Sequence, residues 1–329
     1  MIEFPENLYI GAFLAAFVAT RCGAAAWIRL SERVGLVDHP GLRKIHQQTT
    51  PLAGGLMVMT GLLMPALVGG LIVAFFPEWL PDSSRASLSH GMASQWLPFG
   101  GIMLGAIGMF LVGLWDDRSA LSPGRKFLGQ FLVSLLVASA GVRITLFIDN
   151  LWIAYAITIL WMLTLVNTFN FMDNMNGLSA GLGAIACLSF GLSAWVSGHY
   201  LVASFAFCVT GALVGFLPCN FPRAKTFLGD SGSHLTGYLV AVLGILPHFY
   251  TGNAEEVRWA VLKPVIIVSI PLIDLCSVVW IRRRLGKPFY QGDTNHLSHR
   301  LHRQGLSETR VVLILWALGA VAGAVTFLF

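Results

Sequence analysis

Long apolar stretches separated by short polar segments run through the whole of this 329-residue chain. A helix of about 20 apolar residues crosses the hydrocarbon core of a bilayer. Inside lipid every backbone N–H and C=O must be paired within the protein, which leaves helices or a closed barrel. The apolar residues do not alternate with polar ones, so they predict helices. We expect ten spans, at residues 8–30, 52–76, 98–115, 127–147, 150–168, 178–197, 200–218, 232–248, 259–281 and 310–328.

The composition agrees with a chain that lies almost entirely in a membrane. Hydrophobic residues make up 56% of it and charged residues 11%, whereas a soluble domain carries about 25% charged residues. The prediction is therefore an all-α, polytopic membrane protein that forms a single domain over residues 1–329. The five cysteines are scattered, so we interpret them as small buried apolar residues rather than as disulfides or metal ligands. The segment before the first span lacks a cationic n-region, so that span is expected to remain as a helix.

The basic residues are unevenly divided between the two sets of connections. The even-numbered connections hold Arg85, Arg143 and Arg258, and the odd-numbered ones hold most of the rest. The positive-inside rule places the odd-numbered connections in the cytoplasm and both termini outside. Topology thus explains the net charge of +5, and we expect no nucleic-acid partner.

Five polar clusters all fall on the odd-numbered connections, which points to one shared site on the cytoplasmic loops. The first is a basic loop with Arg43, Lys44 and His46 that runs into Pro51. Its side chains suit an anionic substrate. Taken alone, however, it is better explained as a positive-inside loop that ends in a turn.

Two further clusters carry carboxylates. The neighbours Asp116 and Asp117 repel each other and need a cation, a proton or a basic neighbour such as Arg118. Acidic residues at membrane depth are functional by default. Asp230 stands between small residues just before the eighth span. It suits Mg²⁺, and an ordinary helix N-cap would explain it equally well.

An amide-rich run, residues 167–177, follows directly on the fifth span. If the helix continues, Asn167, Asn170 and Asn174 share one face. Amide and carboxylate oxygens suit Mg²⁺, phosphate or the edge of a base. Capping of the next helix is the alternative.

The fifth cluster contains His296, His299 and His302 at intervals of three, alternating with arginines. The spacing does not match HExxH and neither Glu nor Cys stands nearby, so zinc is disfavoured. Histidine and arginine together suit phosphate through charge-assisted hydrogen bonds. A basic helix that lies on anionic lipid is the alternative.

Taken together, the clusters supply acids, amides, cations and histidines. Phosphoryl transfer needs in-line positioning, a metal that bridges phosphate oxygens, and cations that neutralise charge. A substrate with a lipid tail would explain why the whole chain lies in the membrane. The residues therefore predict a phosphoryl-group transferase.

The chain resembles the polyprenyl-phosphate N-acetylhexosamine-1-phosphate transferases, of glycosyltransferase family 4 type. The resemblance covers nearly the whole chain and is to the bacterial branch that starts O-antigen, enterobacterial common antigen or teichoic-acid linkage units. It rests on six motifs in the family's order: D-x-P-x-x-R-K-x-H with P-x-x-G-G, W-D-D with a downstream Lys, N-x-x-N-x-x-D-x-x-N-G, F-L-G-D-S-G-S, P-L-I-D and H-L-S-H-R-L.

This resemblance implies a ten- or eleven-helix protein of the cytoplasmic (inner) membrane that depends on Mg²⁺, or on Mn²⁺. The implied reaction transfers N-acetylhexosamine-1-phosphate, with GlcNAc favoured, from a UDP-sugar to polyprenyl (undecaprenyl) phosphate and releases UMP. The implied catalytic residues are Asp116, Asp117 and Asp173, the metal ligands Asp230 and Asn170, and the substrate-binding residues Arg43, Lys44, His46, Lys126, Asn167, Asn176, Gly177, His296, His299 and Arg300.

Two positions depart from the family pattern. Ser298 stands where many relatives have His, and Asn176 stands where bacterial members often have Asp. The first leaves open how many histidines touch the substrate, and the second argues against a charged role for Asn176. The chain also lacks the three-His run of the phospho-MurNAc-pentapeptide transferases, so a UDP-N-acetylhexosamine donor is preferred to that alternative.

The expected mechanism is direct attack of a polyprenyl phosphate oxygen on the β-phosphorus, with Asp116 or Asp117 removing a proton or orienting the acceptor. A lipid phosphate is largely ionised near pH 7, so this route is preferred to an aspartyl-phosphate intermediate. The rival class is a secondary transporter, which would place its polar site near the midplane of repeated halves. A non-catalytic scaffold is a third option, and a homodimer is left open.

Overall fold

The chain forms helices and one short strand pair in the computed structural model, which describes residues 4–40, 48–80, 82–145, 150–246, 261–288 and 293–328. The strands β1 (Val37–Asp38) and β2 (Thr50–Pro51) pair antiparallel. The helices are α1 Glu6–Arg33, α2 Gly54–Phe75, α3 Asp82–Ser119, α4 Pro123–Ser139, α5 Leu151–Met172, α6 Leu178–Val196, α7 Tyr200–Asn220, α8 Gly229–Leu243, α9 Lys263–Ile267, α10 Ser269–Arg284, α11 Leu297–Arg303 and α12 Glu308–Val325.

Helices occupy at least part of each predicted span, which confirms an all-α polytopic membrane protein. Among the described residues, seven helices are long and apolar enough to cross a membrane: Glu6–Arg33, Gly54–Phe75, Ala93–Ser119, Leu151–Met172, Leu178–Val196, Tyr200–Asn220 and Glu308–Leu328. The fourth, eighth and ninth predicted spans do not reach that length, so ten crossings are not confirmed. Helix α8 has 15 residues, a rise of about 22 Å, and the ninth span is divided at Val268 between α9 and α10.

Helix α8 lies at the centre of the bundle, where all of its residues except Asp230 are buried. It packs against α2, α3, α5 and α6. Small residues allow this close packing: a Cβ added at Gly237 would lie 2.7 Å from the backbone oxygen of Leu165 in α5. The eighth apolar stretch is thus a protein-enclosed helix whose N-terminal end is held among four neighbours.

The cysteines agree only in part with the expectation that they are buried. All five are free, as predicted, and Cys187, Cys208 and Cys219 are buried. Cys22 and Cys276 are exposed on the outside of the helices. The expectation of burial is therefore wrong for these two.

Helix α1 packs closely against α7 through glycine. A Cβ added at Gly211 would overlap the backbone oxygen of Phe13, whereas a Cβ at Gly69 would meet nothing within 4 Å. We therefore expect Gly211→Val to lower the free energy of unfolding by about 1–3 kcal/mol, because backbone cannot yield as a side chain can. Gly69→Val, also within a helix, is the matched control. The measurement is the melting temperature in detergent, and equal values for the two variants would contradict this packing.

Candidate active site

The Asp117 carboxylate caps the buried helix α8. Asp117 lies in the last turn of α3, and its two oxygens accept hydrogen bonds from the backbone N–H groups of Asp230 (2.7 Å) and Ser231 (2.9 Å). No side chain of α8 or of its preceding residue supplies that cap. The alternative that Asp230 is an ordinary N-cap is therefore wrong, because a carboxylate from another helix caps α8. The Asp230 side chain is free to bind other partners.

The Lys126 ammonium group lies where oxygens from three other helices meet. It is 2.7 Å from Asp116 Oδ2, 3.0 Å from Asn170 Oδ1 and 3.4 Å from Asp230 Oδ2. Asn170 Nδ2 in turn donates to Asp230 Oδ1 at 2.5 Å and to Ser233 Oγ at 3.0 Å. Residues from α3, α4, α5 and α8 that are far apart in sequence thus form one polar centre.

Asp173 completes what we call the acidic cluster: Asp116, Asp117, Asp173 and Asp230. It is the residue that directly follows the C-terminal end of α5. Burial and the negative charges of Asp230 and Asp117 raise the pKa of Asp173 well above its ordinary value. Negative charges gathered in this way form an environment that favours a further cation.

The donor set of this centre fits a hard divalent cation. Within the described ranges no group of three or more His, Cys, Asp and Glu side chains is arranged around a common point. Mg²⁺, however, typically uses one or two carboxylates and completes its shell with water and substrate phosphates. Asp230 and Asn170 supply carboxylate and amide oxygens of that kind, and the Lys126 ammonium already occupies a place where a positive charge is stabilised.

The segment after the basic loop lies against the start of α8. Phe227 N–H donates to the Pro51 oxygen (2.9 Å), and Gly54 N–H donates back to the Phe227 oxygen (3.0 Å). A Cβ at Gly54 would lie 2.6 Å from Leu228 Cα, which explains the glycine. The first and fourth clusters are thus adjacent. Arg43, Lys44 and His46 themselves lie outside the described residues.

The histidine cluster is held by the buried carboxylate of Asp274 in α10. His296 Nδ1 lies 2.7 Å from Asp274 Oδ2, and Leu297 N–H donates to the other oxygen at 2.5 Å. Arg282 pairs with Asp293, with Nε 3.2 Å from Oδ2. The basic partner of Asp274 is thus His296, and Nδ1 of that ring is committed to the carboxylate.

This cluster also contacts the end of α5. The Arg282 guanidinium lies 5.1 Å from the centre of the Phe171 ring, directly after Asn170. The buried Ser298 donates to Asn174 Oδ1 at 2.7 Å. Position 298 therefore faces the α5 end, which gives the departure from the family's histidine a structural role. The third and fifth clusters meet here.

Two other members of the histidine cluster lie nearby. Burial lowers the pKa of His299, and the positive charges of His296, Arg303 and His302 lower it further. His299 is therefore mainly neutral near pH 7 and can donate a hydrogen bond rather than supply a charge. Arg300 is on the same short helix, and its Nη2 lies 3.4 Å from Ser277 Oγ in α10.

Asn174 does not share a helix face with Asn167 and Asn170, because α5 ends at Met172.

Three predicted substrate-binding residues, Asn167, Asn176 and Gly177, have partners within the protein. Asn167 donates to Gln130 Oε1 and to the Leu163 oxygen, both at 2.8 Å. Asn176 donates to the Pro222 oxygen at 3.3 Å. Gly177 has a φ of +77°, which suits glycine, and its N–H bonds to Asn220. Their proposed contacts with substrate stay predictions.

Sequence reasoning missed Gln130 and the capping role of Asp117, and it gave no separate role to Ser233 or Asp293, which stand within the fourth and fifth clusters. Gln130 stands four residues after Lys126, and Ser233 three after Asp230, so helical spacing would have placed each on the face of its neighbour. The capping contact joins residues 113 positions apart, and no local signal predicts it.

Removal of the Asp117 carboxylate tests the cap. We expect Asp117→Ala to lower the free energy of unfolding by about 0.5–2 kcal/mol, because two N–H groups of α8 lose their acceptor. Asp230→Asn, in the same cluster, should leave the melting temperature unchanged or raise it, since it removes a repelled charge. If both variants melt alike, the two carboxylates do not differ in role.

Acidification tests the repulsion at Asp173. Because the pKa of Asp173 is raised in the folded protein, the folded state holds its proton to higher pH than the unfolded chain, and stability rises as pH falls through that raised pKa. In EDTA, we expect Asp173→Asn to raise the melting temperature at pH 8 and to flatten the gain on acidification. Glu32→Gln, at an exposed position of α1, is the control. If the melting temperature of Asp173→Asn depends on pH as that of the wild type does, Asp173 does not have the proposed effect on stability.

Comparison with known proteins agrees with this geometry. Residues 99–248 match the model of the glycosyl transferase family 4. The chain is 30% identical over 303 residues to a probable undecaprenyl-phosphate N-acetylglucosaminyl 1-phosphate transferase of Bacillus subtilis (strain 168), covering 89% of this chain and 77% of that protein. It is 34% identical over 344 residues to the decaprenyl-phosphate N-acetylglucosaminephosphotransferase of Mycobacterium tuberculosis (strain ATCC 25618 / H37Rv), covering 96% and 81%.

A third relative is more distant. The undecaprenyl-phosphate alpha-N-acetylglucosaminyl 1-phosphate transferase of Escherichia coli (strain K12) is 24% identical over 314 residues, which cover 90% of this chain and 77% of that protein. The family match includes Asp116, Asp117, Lys126, Asn170 and Asp230, the residues that the fold brings together. The chain therefore belongs to the polyprenyl-phosphate N-acetylhexosamine-1-phosphate transferases of glycosyl transferase family 4.

Proposed function

We propose that this protein transfers GlcNAc-1-phosphate from UDP-GlcNAc to undecaprenyl phosphate, forms polyprenyl-diphospho-GlcNAc and releases UMP, the first step of a cell-envelope polysaccharide. The observation that carries the proposal is the convergence of Asp116, Asn170 and Asp230 on the Lys126 ammonium at one end of the bundle. Both substrates carry phosphate, and such a centre positions and neutralises phosphate. The names of the relatives supply the sugar and the class of lipid.

The side chains of the centre divide between two tasks. Asp230 and Asn170 would hold Mg²⁺, which when bound neutralises the donor diphosphate and polarises its oxygens. Lys126, now shared among three oxygens, would donate to a phosphate oxygen in a short charge-assisted bond. His296, His299 and Arg300 would contact the diphosphate from the other side.

The two neighbouring carboxylates have different tasks in this proposal. Both oxygens of Asp117 accept backbone hydrogen bonds, so the task of Asp117 is to position α8. Asp116 has one oxygen on Lys126 and the other on Leu121 N–H, 2.7 Å away. Its charge orients the acceptor phosphate indirectly through Lys126. An oxygen of the ionised acceptor then attacks the β-phosphorus in line, the bond to UMP breaks, and no enzyme carboxylate needs to form a covalent bond.

The orientation in the membrane is part of the proposal and rests on the distribution of basic residues. We place the site at the cytoplasmic face of the inner membrane, with both termini outside and one domain over residues 1–329. The basic connections support this orientation by the positive-inside rule. The three shorter helical regions complete ten crossings if α8 is enclosed by its neighbours rather than by lipid, which its burial supports.

Activity in detergent tests the proposed reaction. Purified protein with UDP-GlcNAc, undecaprenyl phosphate and Mg²⁺ should release UMP and form lipid-linked GlcNAc without a sealed vesicle, which a transporter would not do. EDTA should abolish the product. Asp230→Asn should lower kcat about 100-fold, since it removes charge stabilisation at the phosphates, and Glu32→Gln should not. Preference for UDP-GalNAc or UDP-MurNAc-pentapeptide would overturn the donor assignment, and absence of UMP would overturn the reaction.

The same assay separates the direct route from the covalent one. The enzyme is incubated with UDP-GlcNAc and labelled UMP in the absence of lipid. A direct transfer leaves the label in UMP, whereas an aspartyl-phosphate intermediate exchanges it into UDP-GlcNAc. Exchange that depends on Asp116 would rule out the direct route.

A further inference from the structure

A second layer of polar side chains lies one helical turn below the centre. Gln130 follows Lys126 by four residues on α4, His234 follows Asp230 by four on α8, and Asn167 precedes Asn170 by three on α5. Residues at these spacings share a helix face. The three deeper side chains contact one another: Asn167 Nδ2 donates to Gln130 Oε1 at 2.8 Å, and Gln130 Nε2 lies 3.2 Å from His234 Nε2. Gln130 and His234 are fully buried.

A backbone carbonyl fixes the direction of this hydrogen-bond chain. The Leu163 oxygen can only accept, so the amide nitrogen of Asn167, 2.8 Å away, must face it. The second hydrogen of that nitrogen then goes to Gln130 Oε1, and Gln130 Nε2 is left to donate to His234. His234 Nε2 must therefore accept, which places the ring proton on Nδ1 in a neutral imidazole.

The far end of the chain is a buried donor. Among the described residues, His234 Nδ1 has no hydrogen-bond partner. A single ordered water would satisfy it, as such waters commonly do for buried polar groups. Reversal of the chain would bring two carbonyl oxygens together at Leu163, so the arrangement has one orientation.

We infer that Gln130, Asn167 and His234 form a positioning layer, a directional hydrogen-bond chain that holds Lys126, Asn170 and Asp230 in register one turn above. Each member of the layer shares a helix with one member of the centre. A translation or rotation of any of these helices therefore breaks a hydrogen bond in the layer and another in the centre. Asn167 accordingly acts through Asn170 rather than on the substrate. The inference deepens the proposed function and rests on it for its kinetic test.

The first test does not depend on activity. Nitrogen-15 histidine spectra of the full chain in detergent, with the His234 signal identified by its loss in His234→Leu, should show a neutral ring protonated at Nδ1. A ring protonated at Nε2, or at both nitrogens near pH 7, would overturn the directional chain. This result stands even if the wild-type protein proves inactive with UDP-GlcNAc, an outcome that would refute the proposed function alone.

The second test separates positioning from stability. Gln130→Leu should lower kcat about 100-fold, as small displacements of catalytic groups do, and also lower the melting temperature. The double variant Gln130→Leu/His234→Leu also removes the histidine ring that the single variant leaves without its partner, so part of the lost stability should return while kcat stays low. The matched control is Ser134→Ala, one turn further along α4, whose hydroxyl bonds only to the Gln130 backbone oxygen. Its kcat should match the wild type.

Two kinetic outcomes would overturn the positioning layer. One is a kcat for Gln130→Leu equal to that of Ser134→Ala. The other is recovery of kcat together with melting temperature in the double variant, since that would show a purely structural role.

Discussion

The contact on which the site depends is the pair of hydrogen bonds between the Asp117 carboxylate and the N–H groups of Asp230 and Ser231, in the first turn of α8. A helix that begins inside a membrane bundle has free N–H groups that neither lipid nor water can satisfy. A carboxylate from α3 meets that need and also carries the charge that the helix dipole favours there. The same contact fixes where the first turn of α8 starts and so where the Asp230 side chain lies. Asn170 and Lys126 then find their oxygen partners at that place.

The acidic cluster stores unfavourable electrostatic energy in the folded protein. Two of its four carboxylates, Asp116 and Asp230, pair with Lys126; burial, and after it the charges of Asp230 and Asp117, raise the pKa of Asp173. A core designed only for stability would replace them by apolar side chains. The carboxylates are useful if a bound cation, and cationic side chains that bind the substrate phosphates, balance their charge. Stability and function therefore make opposite demands on the same few residues.

Much of this arrangement is predictable from the sequence, and the exceptions have a common cause. The helices follow from uninterrupted apolar residues, and the convergence of the polar clusters follows from their placement on alternate connections. What the sequence could not show were contacts between residues distant along the chain. Asp230 has the local sequence of an N-cap, yet Asp117 provides the cap. Ser298 departs from a histidine motif, and only its bond to Asn174 explains the change. The number of crossings is not confirmed, because hydropathy does not distinguish lipid from the protein interior that surrounds α8.

The pair Gly54 and Gly55 has a mechanical consequence. Because these two residues have no side chains, the start of α2 packs directly against Leu228 and Ser231. Backbone hydrogen bonds join the same two segments. Neither segment has clearance to slide past the other. In the part of the chain that the structure describes, Arg282 of α10 and Ser298 of α11 contact the end of α5 through side chains. Backbone contacts thus hold α2 against the start of α8, whereas side-chain contacts hold α10 and α11 against α5.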